Sequence, residues 1–216
     1  MNTVAESWQG YFPLAIMMIV IASWGLYYFL APARWREWAG AGLVQAFIIA
    51  LYAEMYGFPL TIYFLTSILP IDIPLAHPSG HLWATLLGYG PIGQSVEMAL
   101  GFIFIIAGLI FIARGWTRIY YSGGDLRTDG IYSVVRHPQY TGIFLVIFGQ
   151  LIHWPTIPTI ALSPFIIWAY VHLARKEEAE MVGRFGRSYA EYQRRVPMFL
   201  PHWSDVQRAI AATDKP

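Results

Sequence analysis

SVEMALGFIFIIAGLIFIA, residues 95–113, holds one charged residue, Glu97, in a run long enough to cross a bilayer. A spanning helix needs ~20 mostly apolar residues, because a helix rises about 1.5 Å per residue through a hydrocarbon core of about 30 Å. The reading extends outward from this stretch. Phe12 to Leu30 has the same character and stops at Ala31-Pro32. Ala39 to Leu69 is too long for one straight helix and is interrupted at Gly57-Phe58-Pro59, so a span to about Met55 followed by a kink or short return segment is predicted, Pro lacking a backbone donor. Tyr140–Ile152 and Thr159–Leu173, separated by Pro155 and Pro158, read as a tight helical hairpin.

Composition agrees. The chain has 216 residues, 56% hydrophobic and 12% charged, with a mean hydropathy of +0.46. Soluble domains carry about 25% charged residues, so this chain cannot coat a globular surface. The 9 Trp and 14 Tyr suit rings at two membrane interfaces. The net charge of +1 gives no bias towards nucleic acid, and the absence of cysteine excludes disulfides, thiolate metal sites and a thiol nucleophile. The start, MNTVAESWQG, lacks the basic region and cleavage site of a signal peptide, so the first apolar run is expected to be kept.

Charge placement tests the topology. With the N-terminus outside, Arg34 and Arg36, then Arg114, Arg118, Arg127 and Arg136, then Arg175, Lys176, Arg184, Arg187, Arg194, Arg195, Arg208 and Lys215 all fall inside. These are all 14 Lys and Arg of the chain, and the opposite loops, Pro70–Gln94 and His153–Pro158, contain none. The expected fold is therefore an all-α polytopic membrane helix bundle. It has about five transmembrane helices, an external N-terminus and a cytoplasmic C-terminus. Its division is 1–113, three spans with the second region kinked, and 114–216, a helical hairpin flanked by polar segments. Arg114–Gln139 and Arg175–Pro216 should meet at the cytoplasmic end of that hairpin.

Two stretches carry chemistry. In the first, Thr128 to Gly142, Asp129-Gly130 signals a turn and Pro138 suits the first turn of a helix. The N–H groups of that turn can bind a carboxylate, and Gly142 permits close approach of a ligand or a neighbouring helix. By itself this is also the signature of an ordinary capped, basic helix start. In the second, Glu177-Glu178 beside Arg175 can hold a cation while ionised. Met181, Phe185, Tyr189 and Tyr192 form an apolar helical face interrupted by Gly186, equally consistent with a helix lying on lipid.

Taken together, the stretches resemble the family of isoprenylcysteine carboxyl methyltransferases and phospholipid N-methyltransferases of the membrane-embedded type. The resemblance rests on Gly130 and Tyr132, on Arg136-His137-Pro138-Gln139-Tyr140-Thr141-Gly142, and on Glu177-Glu178. Phe185-Gly186 with Tyr189 and Tyr192, and Val196-Pro197, complete it. It covers about residues 114–201 and implies a methyl transfer from S-adenosyl-L-methionine. Tyr132, Arg136, His137, Pro138, Tyr140, Gly142, Glu177 and Glu178 would hold that cofactor. Glu177, Glu178 and Arg175 would serve the reaction, and the tail aromatics would cover the adenine. The acceptor implied is lipophilic or membrane-embedded, a lipid amine or a prenyl-type carboxylate. A further family arginine is Leu173 here, a departure that bears on the carboxylate reading. A small-thiol S-methyltransferase is the alternative, and an NADPH-dependent sterol-reductase-like protein or a non-catalytic scaffold are those of another class. His77 and His81 lack an obvious third ligand, so no metal site is expected. Glu54, inside the membrane, is either functional or a hydrogen-bonded structural carboxyl.

Overall fold

The computed structural model describes residues 11–30, 35–70, 73–74, 77–120 and 125–201. The N-terminal decapeptide and Arg34, Arg208 and Lys215 of the charge count lie outside the described residues. Eight α-helices occur among the described residues: α1 Phe12–Leu30, α2 Trp35–Tyr56, α3 Leu60–Ile68, α4 Leu82–Leu87, α5 Gly90–Tyr120, α6 Pro138–His153, α7 Ile157–Phe185 and α8 Arg187–Arg195. Short 3-10 turns occupy His77–Gly80 and Gly130–Ser133. Four helices, α1, α2, α5 and α7, are long and apolar enough to cross a membrane. Their outward side chains are large and bare, among them Trp24 at 67% and Ile103 at 61% exposure, which only a lipid solvent tolerates over such an area. The chain is an integral membrane protein built as a polytopic helical bundle.

α5 and α7 have 31 and 29 residues. At about 1.5 Å per residue they exceed a ~30 Å core, so their charged C-terminal turns project beyond it. In α7 the apolar run ends at Leu173 and the charges begin at Arg175. α6 has 16 residues and is the shortest of the expected spans.

The chain forms two compact units: residues 1–105 with 147–169, and 106–146 with 170–216. In the first, α1 and α2 are joined by Gln45 Nε2 donating to Ser23 Oγ at 2.8 Å. The predicted interruption at Gly57-Phe58-Pro59 is present, and α3 after it has nine residues. That is about 14 Å of helix, too short to span a bilayer by itself.

Glu54 acquires its role here. Neither α3 nor α4 is capped by the side chain of its own N-cap residue. Glu54 Oε2 accepts the Thr61 N–H at 2.8 Å, and Glu97 Oε1 accepts the Ala84 N–H at 2.5 Å. Each membrane carboxylate thus satisfies a first-turn donor of a short helix, one of the groups a helix cannot bond internally. Thr61 Oγ1 in turn accepts the Ile157 N–H at 2.9 Å at the start of α7, where Thr156 and Thr159 cap each other reciprocally. The structural alternative for Glu54 is the one observed. Pro164 lies inside α7 and deprives the Ile160 carbonyl of its backbone donor. The Ser163 hydroxyl supplies one at 2.9 Å.

His77 and His81 belong to an aromatic cluster. Their rings lie 4.8 and 5.3 Å from that of Trp154, and His81 stands 5.2 Å from His153 and 3.5 Å from a Glu97 oxygen.

α5 and α6 run antiparallel on glycines. In the first unit a Cβ on Gly101 would stand 2.8 Å from the Gly149 carbonyl oxygen. In the second, a Cβ on Gly108 would stand 2.5 Å from that of Gly142, and one on Gly142 equally close to that of Gly108. Such contact lets dispersion between backbones hold helices where lipid offers no hydrophobic drive. Gly142 was expected to admit a ligand or a helix, and a helix meets it. Because the obstacle is a carbonyl oxygen, no rotamer change relieves it. Gly108→Ala is expected to cost about 1–3 kcal/mol, read as a fall in the melting temperature of the purified protein. Gly183→Ala, where a Cβ meets nothing within 4 Å, should leave the temperature unchanged or raise it.

Candidate functional site

All geometry in this section belongs to the second unit. Its first part is built by the turn at Asp129-Gly130. Gly130 has φ +58°, which glycine adopts without strain, and the 3-10 turn that follows buries Tyr132. The Tyr132 hydroxyl donates to the Gly115 carbonyl at 3.3 Å, and its own carbonyl accepts the Tyr192 hydroxyl at 2.6 Å. Tyr132 is therefore committed to packing. α6 then begins at Pro138, as the sequence predicts.

The polar end of α7 faces this segment. Glu178 is the most connected side chain of the site. Its Oε1 accepts Arg136 Nε at 2.6 Å and lies 3.1 Å from His137 Nε2, while Oε2 accepts Gln193 Nε2 at 3.0 Å. Glu177 Oε1 accepts the Tyr140 hydroxyl at 2.6 Å, and its Oε2 lies 3.5 Å from His137 Nδ1. The His137 ring stacks on Tyr140, with centroids 5.5 Å apart at an interplanar angle of 4°. Arg136, His137, Tyr140, Glu177 and Glu178 are thus brought together from positions up to 42 residues apart.

Burial separates the two carboxylates. The side chain of Glu178 is 10% exposed and that of Glu177 26%. Burial by itself would push the Glu178 carboxyl up, but the hydrogen bonds from His137 and Arg136 outweigh it and hold it down at about 2. Burial likewise opposes a charge on His137, yet Glu177 and Glu178 raise its pKa above the usual 6.5. The site therefore holds a buried imidazole between two carboxylates, with both oxygens of Glu178 hydrogen-bonded and Glu177 partly open.

Sequence reasoning missed the extent to which the tail closes on this network. Arg136 Nη1 donates to the Gln193 carbonyl at 3.0 Å and to that of Val196 at 2.5 Å. The backbone N–H groups of Arg136 and His137 donate to the Pro197 and Met198 carbonyls at 2.9 and 3.2 Å, and Thr141 Oγ1 donates to that of Phe199 at 3.1 Å. Backbone acceptors have no residue signature, so only Val196-Pro197 could have hinted at them. Phe199 lies 5.8 Å from the His137 ring.

Two expectations change. Tyr189 and Tyr192, each 3% exposed, form a buried cluster with Val196, against which Leu126, Met181 and Phe185 pack. The predicted apolar face exists, but its tyrosines have no open face on which an adenine could lie. Arg175 is exposed and joins no ion pair among the described residues. At 100° per residue it points about 160° away from Glu177 around α7, so the structure does not bring it to the network.

Residues 96–188 match the family described as phospholipid methyltransferase. Among curated proteins, the protein-S-isoprenylcysteine O-methyltransferase of Schizosaccharomyces pombe is 36% identical over 77 residues, 35% of this chain and 33% of that protein. Methanethiol S-methyltransferase 2 of Bradyrhizobium diazoefficiens is 34% identical over 141 residues, 61% of this chain and 51% of that protein. The methanethiol S-methyltransferase of Crocosphaera subtropica is 31% identical over 118 residues, 48% and 44% of the two chains. The chain thus spans about a third to a half of the length of these relatives. No solved structure matches. The region similar to that family contains the Arg136–Tyr140 segment and the Glu177-Glu178 pair.

Proposed function

We propose that this chain is an integral membrane methyltransferase that uses S-adenosyl-L-methionine and acts on a lipophilic or membrane-embedded acceptor, with its N-terminus outside and its C-terminus in the cytoplasm. The observation that carries the reading is the half-open Glu177 carboxylate beside the N-terminal turn of α6. A zwitterionic amino acid with an added sulfonium needs this pairing: a carboxylate for its cationic groups and a helix N-terminus for its carboxylate. The relatives' printed names add a methyl transfer to prenylcysteine or methanethiol.

The donor set argues against a pyridine dinucleotide. Its phosphates would face two carboxylates, while the nearest guanidinium, Arg136, is bound by Glu178 and two carbonyls. When bound, the cofactor supplies an electrophilic methyl group whose bond to sulfur breaks as the acceptor's lone pair attacks in line. The protein's part is to bind, orient and exclude water. In this reading Glu177 faces the cation, Tyr140 fixes its carboxylate, and Glu178 fixes His137 and the tail through Arg136. Tyr132, Pro138 and Gly142 shape the pocket by placing the turn, the helix start and α5. Since the methanethiol relative overlaps 61% of this chain, a small thiol is the second reading for the acceptor.

S-adenosylhomocysteine should stabilise the detergent-purified protein, by about 2.7 kcal/mol at 100 times its dissociation constant. Glu177→Gln should weaken that binding about tenfold to a hundredfold without lowering the melting temperature, as loss of a charged hydrogen-bond partner commonly does. Glu178→Gln should instead destabilise the free protein by about 3 kcal/mol, because Arg136 and His137 lose their shared partner. Glu191→Gln, on the exposed face of α8, should do neither. Equal behaviour of all three would reduce the pair to an ordinary solvated face.

The pH dependence has two limbs. Glu178, with its folded pKa depressed from 4.5 to about 2, stabilises fully above about 4.5, and this is lost as pH falls towards 2. His137, with its folded pKa raised above 6.5, stabilises fully below 6.5, and this is lost as pH rises through the folded value. The melting temperature should therefore be highest between about pH 4.5 and 6.5, and His137→Gln should flatten the alkaline side. An unchanged alkaline slope in that variant would show that His137 is not the titrating group.

Orientation is checked by labelling in intact cells. A cysteine introduced at Tyr89, 65% exposed in the loop 70–94, should react with an impermeant thiol reagent, and one at the exposed Arg187 only after permeabilisation. External reaction at 187 would reverse the topology and remove the site from the cytoplasm.

A further inference from the structure

In the first unit two acceptor atoms stand face to face. Glu97 Oε1 accepts the Ala84 N–H, while its other oxygen, Oε2, lies 3.5 Å from His81 Nδ1, the outer edge of hydrogen-bonding distance. The side chains of Glu97 and His81 are 10% and 13% exposed, and both facing atoms are buried with no hydrogen-bond partner among the described residues. The His81 ring donates to the His153 main-chain carbonyl, and because Nδ1 is unbonded, the donor is Nε2–H. Nδ1 is then the bare nitrogen of a neutral imidazole. Opposite an ionised Glu97 it would set one lone pair against another, out of reach of water, and burying either atom unbonded is costly.

One proton removes both faults. With a hydrogen on Oε2, the Glu97 carboxyl donates to Nδ1 while Oε1 still accepts from Ala84. The bonds then run in a single direction, from the Ala84 N–H of α4 through Glu97 of α5 and His81 to the His153 carbonyl at the end of α6. Each end needs the chain. Ala84 belongs to the first turn of α4 and His153 to the last turn of α6, where a helix cannot bond its own groups.

The surroundings hold no charge to balance an ionised Glu97. The titratable side chains facing the pair are His153 of α6, its ring 5.2 Å from that of His81, and His77 of the 3-10 turn. Burial opposes a charge on either, and the loops 70–94 and 153–158 contain no Lys or Arg. Burial opposes a charge on His81 as well, so the proton belongs on the carboxyl. The ion-paired form would bury two charges where the neutral form buries none.

We infer that Glu97 is a proton-binding site: its carboxyl is neutral in the folded protein, and the proton it holds closes the chain that ties α4 and His81 to α5 and α6. In the proposed topology the loop 70–94 is external, so this proton exchanges with the outer medium. Its loss at high pH leaves a carboxylate against Nδ1 and loosens α4, which makes the chain a latch that answers to external alkalinity. None of this depends on the methyl-transfer reading.

The test uses the full-length purified protein and compares Glu97→Gln and Glu97→Leu with the parent. At neutral pH the infrared spectrum of the parent should contain the C=O stretch of a protonated carboxyl, and part of that band should be missing in Glu97→Gln. Glutamine reproduces the neutral group, its amide donating to Nδ1 and its oxygen accepting from Ala84, so this variant should fold and melt no lower than the parent. Glu97→Leu can do neither and should melt several degrees lower. On alkalinisation the amides of α4 in the parent should exchange with deuterium about tenfold faster than the intrinsic rise accounts for, as loss of roughly one hydrogen bond allows. In Glu97→Gln they should follow the intrinsic rise alone. An unchanged carboxyl band or a failure to fold in Glu97→Gln, equal alkaline exchange in it and the parent, or a Glu97→Leu variant that melts with the parent would each overturn the proposal.

Discussion

The second unit depends on one carboxylate, Glu178, which ties α7 to two other elements at once. It takes Arg136 and His137 from the segment before α6 and Gln193 from α8, each within 3.1 Å. Ion pairs buried like this gain little over an apolar alternative in stability, since desolvation offsets most of their attraction. Their effect is specificity: with both oxygens committed, only one placement of the tail satisfies the charges. Arg136 extends the constraint, because the guanidinium that meets Glu178 also takes the Gln193 and Val196 carbonyls. Those carbonyls end α8, where no intrahelical donor reaches them. A single charge pair thus orients His137, closes the end of α8 and fixes the chain up to Phe199.

The first unit solves a different problem with the same residue type. Glu54 and Glu97 stand in membrane-spanning helices, and each accepts the N–H of a short helix that its own N-cap leaves unsatisfied. In lipid such a donor has no water to turn to. The interruption at Gly57-Phe58-Pro59 therefore requires Glu54 close by. Seven residues separate that carboxylate from the amide it caps.

The apolar runs were legible because the bilayer fixes their length. Phe12–Leu30 is α1 to the residue, and the break before Pro59 and the start of α6 at Pro138 fall where backbone chemistry puts them. The helices α5 and α7 outran their apolar cores, since nothing in hydrophobicity marks where a helix continues into water. In the site, the meeting of Arg136-His137-Pro138 with Glu177-Glu178 followed from the hairpin. The roles within it did not. Tyr132 and Gly142 look the same in sequence whether they touch a ligand or a helix, and the structure gives one to Gly115 and Tyr192 and the other to Gly108. Tyr189 and Tyr192 had the spacing of a helix face, which does not reveal whether that face is covered by protein or by a base.

The adjacent carboxylates show why this distinction matters for chemistry. Glu177 and Glu178 share a sequence context, but 100° of helix rotation sends them to different surroundings. Glu178 meets a guanidinium, an imidazole and an amide, and its charge is held so firmly that its pKa falls to about 2. Glu177 meets one phenol and the far side of the same imidazole, keeping a quarter of its side chain exposed. A cation entering the site gains from a charge that is fixed in place yet not already neutralised. Glu178 fails the second condition because a guanidinium is bound to it, whereas Glu177 is positioned by the neutral Tyr140 hydroxyl. The buried carboxylate thus braces the segment before α6 against α8, and its neighbour, a quarter exposed, is the one the proposed reading turns towards a cation.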